Sequence, residues 1–206
     1  MWRLAGILAL LLALAAPARA GGPAMALGVA EDSVRSPDPL VAKTRMALIR
    51  AAGFDAIRVT STWTPGELRP GPAEARILAN VAAAAELTGM RVILSVYNPG
   101  SRTTPVTPDA RAQLAAYTAA AVAALPGVRD LVVGNEPNLN RFWLPQFGPD
   151  GTVVSAPTYF DLLARTYDAV KAVDPDVRVW GGALAPRGND RPGGARPTVS
   201  PTTFIR

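Results

Sequence analysis

From residue 25 onward the chain alternates short, nearly continuous apolar runs with longer alanine-rich stretches. The short runs at 25–30, 56–60, 91–97, 131–133 and 177–181 predict five strands. The stretches at 39–52, 72–88, 108–125 and 156–173 predict the helices between them, with Gly53 and Gly89 closing the first two. Thr107 before Pro108 reads as an N-cap followed by proline at the first helical position, and Ser200-Pro201 repeats that signal near the end of the chain. The strands are apolar throughout, not alternating, as expected when helices cover a parallel sheet on both faces.

Strand–helix units in series fit two α/β architectures, an open doubly wound sheet or a (β/α)8 TIM barrel. The first loses its usual support, because no Gly-x-Gly-x-x-Gly follows the first strand and no Gly-x-x-x-x-Gly-Lys-Ser/Thr occurs anywhere. A barrel needs eight strands and typically about 250 residues. The expectation is therefore the first five βα units of a barrel, an N-terminal portion spanning residues 21–206. Gly181 to Pro201, rich in Gly, Pro and Arg, is expected to form a long loop after the fifth strand.

Polar residues recur where each run ends. Glu31 and Asp32 follow the first, Thr60 to Trp63 the second, Tyr97 and Asn98 the third, and Asn135 and Glu136 the fourth. Barrel enzymes build their sites on that C-terminal face.

The N-terminus changes the picture in one respect. Met1-Trp2-Arg3 carries a positive charge, residues 4–16 are uninterruptedly apolar, and Pro17-Ala18-Arg19-Ala20 contains an Ala-x-Ala site. This predicts a secretory signal peptide over residues 1–20 and a secreted, extracellular protein with no membrane attachment after cleavage. Anchoring to the cell envelope by an uncleaved segment is the alternative, although the run is short for a membrane span.

Composition narrows the chemistry. There are no cysteines and no histidines, which excludes disulfides, thiolate or imidazole metal sites and Ser-His-Asp catalysis. The 21 basic residues, Arg3 and Arg19 of the leader among them, only modestly exceed 16 acidic ones, and no basic run points to nucleic acid. The remaining candidates are carboxylates. At the fourth strand, Val132-Val133 lead into Gly134-Asn135-Glu136-Pro137-Asn138, placing a glutamate at the step from strand to loop. Glycoside hydrolysis uses a carboxyl pair, one protonating the leaving oxygen and the other attacking the anomeric carbon or activating water, with a neighbouring donor on the 2-hydroxyl. A capped turn is the bland alternative for Asn-Glu-Pro.

With these residues the chain resembles the retaining (β/α)8 glycoside hydrolases of the cellulase superfamily (clan A type), over roughly residues 25–185. Gly134-Asn135-Glu136-Pro137 matches the fourth-strand signature, and Phe54-Asp-Ala-Ile-Arg58-Val-Thr-Ser-Thr-Trp63 resembles the second-strand pattern. The resemblance implies Glu136 as acid/base, Asn135 on the sugar 2-hydroxyl, and Arg58 holding the nucleophile ionised. It implies a β-linked poly- or oligosaccharide substrate cleaved by retaining double displacement, with no cofactor and no metal. The clan's nucleophile, a glutamate on a seventh strand, has no counterpart here; none of Glu31, Asp32 or Glu67 fits it. The absence of histidine also departs from many cellulase-type members.

Arg58 has a structural alternative, an ion pair with Glu31 or Asp32. Trp63, Tyr97, Phe142 and Trp143 are candidate sugar-stacking surfaces, with Trp143 foremost because it lies in a loop, whereas Trp180 is expected in the core. Arg141 is expected to pair with a carboxylate or to be solvated. A catalytically inactive carbohydrate-binding barrel, or a fragment, remains the alternative function.

Overall fold

The computed structural model describes residues 25–206; the expected signal peptide at 1–20 lies outside them. The elements run β1 (Gly28–Ala30), α1 (Pro39–Ala51), β2 (Ala56–Thr62), α2 (Pro72–Thr88), β3 (Arg91–Tyr97), a 3-10 turn (Ser101–Thr103), α3 (Pro108–Ala123), β4 (Asp130–Val133), α4 (Ser155–Val173), β5 (Arg178–Trp180) and α5 (Pro201–Ile205). All five strands are parallel, in the order β1-β2-β3-β4-β5. This is the arrangement of the first five units of a (β/α)8 barrel.

The anticipated caps are present. Thr107 accepts a hydrogen bond from the Ala110 amide, and Ser200 accepts from Thr203. Asp38 caps α1 through the amides of Leu40 and Val41. Each cap pairs backbone donors that the first helical turn leaves without partners.

The pleat divides each strand between two environments. Ile57, Val59, Leu94, Val96, Leu131 and Val133 are buried in one cluster with Met46, Leu78, Val81, Leu114, Tyr117, Tyr159 and Leu162 of the helices. On the opposite side Arg58, Thr60, Ile93 and Val132 are half-buried, whereas Ser95 is fully buried. Tyr159 of α4 fixes the exit of β4, since its hydroxyl donates to the Val133 carbonyl at 2.8 Å and accepts the Gly182 amide. Burial pushes that hydroxyl's pKa up, keeping it protonated. Ion pairing of Arg111 with Asp161, at 2.5 Å, ties α3 to α4.

Trp180 departs from expectation. It is half exposed, and its indole Nε1 donates to Asp130 at 3.0 Å. Asp130 opens β4 at 1% exposure and also binds Arg91 and Arg178. Burial raises its pKa, but the hydrogen bonds from Trp180, Arg91 and Arg178 outweigh that and hold the carboxyl below its ordinary range. Trp180 is thus recruited to a polar cluster at the strand starts, a role invisible without the β4–β5 register that sets Asp130 against Arg178. Among the described residues, no helix is long and apolar enough to cross a membrane.

Candidate active site

The C-terminal ends of the strands converge as the recurrence of polar residues predicts. A cavity of about 240 Å³ is lined by Glu31 and Asp32 after β1, Arg58 and Thr60 of β2, Tyr97 of β3 and Asn135 after β4. Parallel pairing sets Thr60 beside Ser95 and Ser95 beside Val132. Arg58 reaches up this ladder: its Nη2 donates to Ser95 Oγ at 2.8 Å and to Asn135 Oδ1 at 3.3 Å. The alternative ion pair of Arg58 with Glu31 or Asp32 does not form. Those carboxylates turn to backbone amides instead: Glu31 accepts from Ser33 at 2.7 Å and Asp32 from Thr60 at 2.7 Å. The Ser33 amide, with the Ser33 hydroxyl and Arg45 behind it, keeps the Glu31 carboxyl below its usual range.

Glu136 owes its position to an unusual backbone. Gly134 leaves β4 at φ 82° and Glu136 itself sits at φ 44°, a left-handed conformation that costs a non-glycine residue on the order of 1 kcal/mol or more. The surroundings enforce it. Gly134 N–H donates to Val96 at 2.8 Å, and Glu136 N–H donates to the Ala183 carbonyl at 2.8 Å. Gln146 holds the Pro137 carbonyl at 2.9 Å. Asn138, fully buried, accepts from the Ala185 amide and offers its Nδ2 to the carbonyls of Ala185, Arg187 and Val199, at 2.9 to 3.1 Å. The Glu136 side chain is half-buried and, among the described residues, has no hydrogen-bonding or ion-pair partner. Strain held by surrounding bonds, with a carboxylate left free, is the pattern of a functional position.

The aromatic candidates separate into two groups. Tyr97 and Phe142 are half-buried at the cleft rim and meet edge to face, ring centroids 6.1 Å apart. Asn98 supports them by donating to Gly100 and Phe142 carbonyls. Arg141 is exposed, with its guanidinium 5.4 Å from the Phe142 ring centroid. Trp63 and Trp143 require correction as stacking surfaces. Trp63 is fully buried and donates to the Glu67 carbonyl at 2.9 Å. Trp143 is 2% exposed, edge-on to Tyr159, and bonded to Thr158. Neither ring has a face free for a sugar. The place of Trp63 at a strand end and of Trp143 in a loop concealed that both segments fold inward.

Sequence reasoning missed Ser95, Asn138 and Gln146. A lone serine inside the apolar run 91–97 is a signal for the first. Nothing in the apolar pattern marks the other two, since their bonds reach as far as 9 residues for Gln146 and 61 for Asn138.

No protein-family model matches the chain, and a search among curated proteins finds no match either. Solved structures do match. A variant of a GH5_18 protein from Streptomyces cattleya, in complex with Manβ1-4GlcNAc, aligns with a TM-score of 0.59 and 21% identity over 76% of this chain and 44% of that one. A GH5_18 protein from Bifidobacterium longum subsp. infantis aligns with a TM-score of 0.56 and 18% identity, covering 77% of this chain and 43% of that one. An exo-β-1,4-mannosidase from an Opitutaceae bacterium aligns with a TM-score of 0.52 and 17% identity, covering 75% and 31%. At these identities the likeness establishes the fold, and the chain spans less than half the length of each structure.

Proposed function

We propose that residues 21–206 are the N-terminal portion of a secreted retaining glycoside hydrolase, exported by the leader at 1–20. It cleaves O-glycosidic bonds of a β-linked poly- or oligosaccharide, with Glu136 as general acid/base. One observation carries the reading: a strained, anchored glutamate with a free carboxylate stands at the end of β4, beside the Arg58–Asn135 pair. The saccharide held by one similar structure supports a carbohydrate ligand.

In this mechanism Glu136 protonates the leaving oxygen as a nucleophilic carboxylate, outside these residues, attacks the anomeric carbon. It then removes a proton from the water that hydrolyses the glycosyl-enzyme. The two carboxyls must stand about 5 Å apart. Arg58, free of any carboxylate partner among the described residues, has its charge available to keep that nucleophile ionised. With Oδ1 of Asn135 occupied by Arg58, the Asn135 amide presents its N–H donors to a sugar 2-hydroxyl oxygen. Tyr97 and Phe142 supply apolar edges for the ring. No metal or organic cofactor takes part.

The test is azide rescue on the full-length protein. Glu136→Ala should retain attack on aryl β-glycosides with good leaving groups but stall at deglycosylation. Added azide should restore turnover and yield a glycosyl azide of retained configuration. Rescue without configuration retention, or wild-type turnover by Glu136→Ala on alkyl glycosides, would overturn the assignment.

A further inference from the structure

A second cavity, of about 600 Å³, opens beside the Glu136 turn. Its walls are the segment beginning at Leu139, three residues past Glu136, and the loop between β5 and α5. Three guanidinium-bearing residues line it, Arg141, Arg187 and Arg196, together with Asn189 and Thr198 and without a carboxylate. Seven other arginines differ in this respect. Arg35, Arg50, Arg91, Arg111, Arg129, Arg165 and Arg178 each have a carboxylate within 4.0 Å, whereas the three in this cavity have none among the described residues.

Their backbones are fixed and their guanidiniums have no acid partner, that of Arg141 lying 5.4 Å from the Phe142 ring centroid. The Arg187 carbonyl is held by Asn138, the Arg196 carbonyl by Asn189 at 3.3 Å, and the Arg141 carbonyl by the Ser101 amide at 2.9 Å. Leu139 and Thr198 pair as an antiparallel bridge that joins the two walls. Asp190, the acidic residue next to Asn189, is committed elsewhere, to the Ser200 amide and the Thr203 hydroxyl at the start of α5. Three cations lining one cavity, against the single charge of Asp190 beside it, leave a local positive field. Planar forks of this kind match carboxylate and sulfate oxygens.

We infer that this cavity is a substrate subsite for an anionic group, so that the saccharide acted on at Glu136 carries a carboxylate or sulfate near the scissile bond. The inference rests on the glycosidase reading and names its substrate class. The Asn138 clamp makes the subsite and the acid/base turn a single unit, fixing the anionic group relative to Glu136.

The experiment measures equilibrium binding of matched β-linked tetrasaccharides to full-length protein carrying Glu136→Gln, so that no ligand is consumed. One tetrasaccharide is neutral, one contains a uronate and one is O-sulfated. At 50 mM salt at least one acidic ligand should bind about ten-fold more tightly than the neutral one, and the preference should shrink as salt rises. Adding Arg141→Ala, Arg187→Ala or Arg196→Ala should each weaken the acidic ligand about five-fold and leave the neutral one unchanged. Arg76→Ala, on the exposed surface of α2, should change neither. The arm that binds more tightly separates uronate from sulfate. Equal binding of all three overturns the inference while leaving the glycosidase reading in place. An acidic preference untouched by the three substitutions, or reduced equally by Arg76→Ala, also overturns it, as mere net charge. Failure of every saccharide to bind overturns both readings.

Discussion

Arg58 on β2 donates to Asn135 beyond β4, across 3.3 Å of space and 77 residues of sequence. This bond, with the companion bond to Ser95, links three successive strands on the side of the sheet where the cleft lies. It sets the orientation of the amide next to Glu136 and leaves the guanidinium positioned by neutral acceptors that do not consume its charge.

Arg58→Ala should therefore lose activity far in excess of stability. Two charge-assisted hydrogen bonds disappear, worth at most about 1.5–3 kcal/mol each. Catalytic efficiency should fall by roughly a hundred-fold or more, because both the amide orientation and the positive charge are removed. Arg58→Lys should recover part of the charge effect but not the fork. Wild-type kcat/KM in Arg58→Ala, with urea unfolding run in parallel, would show that Arg58 is only structural.

Asn138→Ala should release the loop that walls the site. The buried amide serves three carbonyls and one amide, and its removal leaves groups unpaired at a cost of about 2–4 kcal/mol. Hydrogen exchange should accelerate selectively at 183–199 and at 134–139, with the β2–β3 ladder unaffected. Unchanged protection in the loop would refute the clamp.

Two glycines separate backbone strain from crowding. Gly53 and Gly134 both have positive φ, but a Cβ on Gly53 meets nothing within 4 Å, whereas one on Gly134 would lie 2.9 Å from the Tyr159 ring. Gly53→Ala should cost about 1 kcal/mol from conformation alone. Gly134→Ala should cost roughly 1–3 kcal/mol more from overpacking. Equal losses in chemical denaturation would mean that Tyr159 yields freely.

Acid should expose the contribution of Asp130. Its folded pKa is depressed by Trp180, Arg91 and Arg178, so its stabilisation is fully present above the unfolded carboxyl pKa and lost as pH falls through the lower folded value. The stability gap between wild type and Asp130→Asn should be constant near neutrality and close progressively below the ordinary carboxylate range. A gap that persists at the acid end, measured by urea titration at several pH values, would contradict a charge-based role.

Much of this architecture is legible from hydrophobic runs and caps, because those signals are local. The runs at 91–97 and 131–133, and the proline-led helices at Pro108 and Pro201, coincide with the elements to within a residue or two. The strand-end position of Glu136 follows from the same reading. What local pattern does not encode is which side chains face each other. Arg58 admits an ion pair with Glu31 or Asp32 as its alternative until the fold brings Ser95 and Asn135 to its guanidinium. Trp63 at its strand end and Trp143 in its loop look like sugar platforms until the fold packs them away, and Trp180 looks like core until Asp130 takes its N–H. Asn138 is adjacent to the motif yet acts on a loop more than 40 residues later.

Because strand order equals chain order among the described residues, each strand after β1 pairs with one already synthesised, so a chain emerging from the ribosome finds each new strand's partner in place. The turn at Glu136 is the exception. Its amide partner at Ala183 and the three carbonyls held by Asn138 arrive some fifty residues later. Among the described residues, synthesis thus completes the sheet through β4 before it supplies the bonds that close the Glu136 turn.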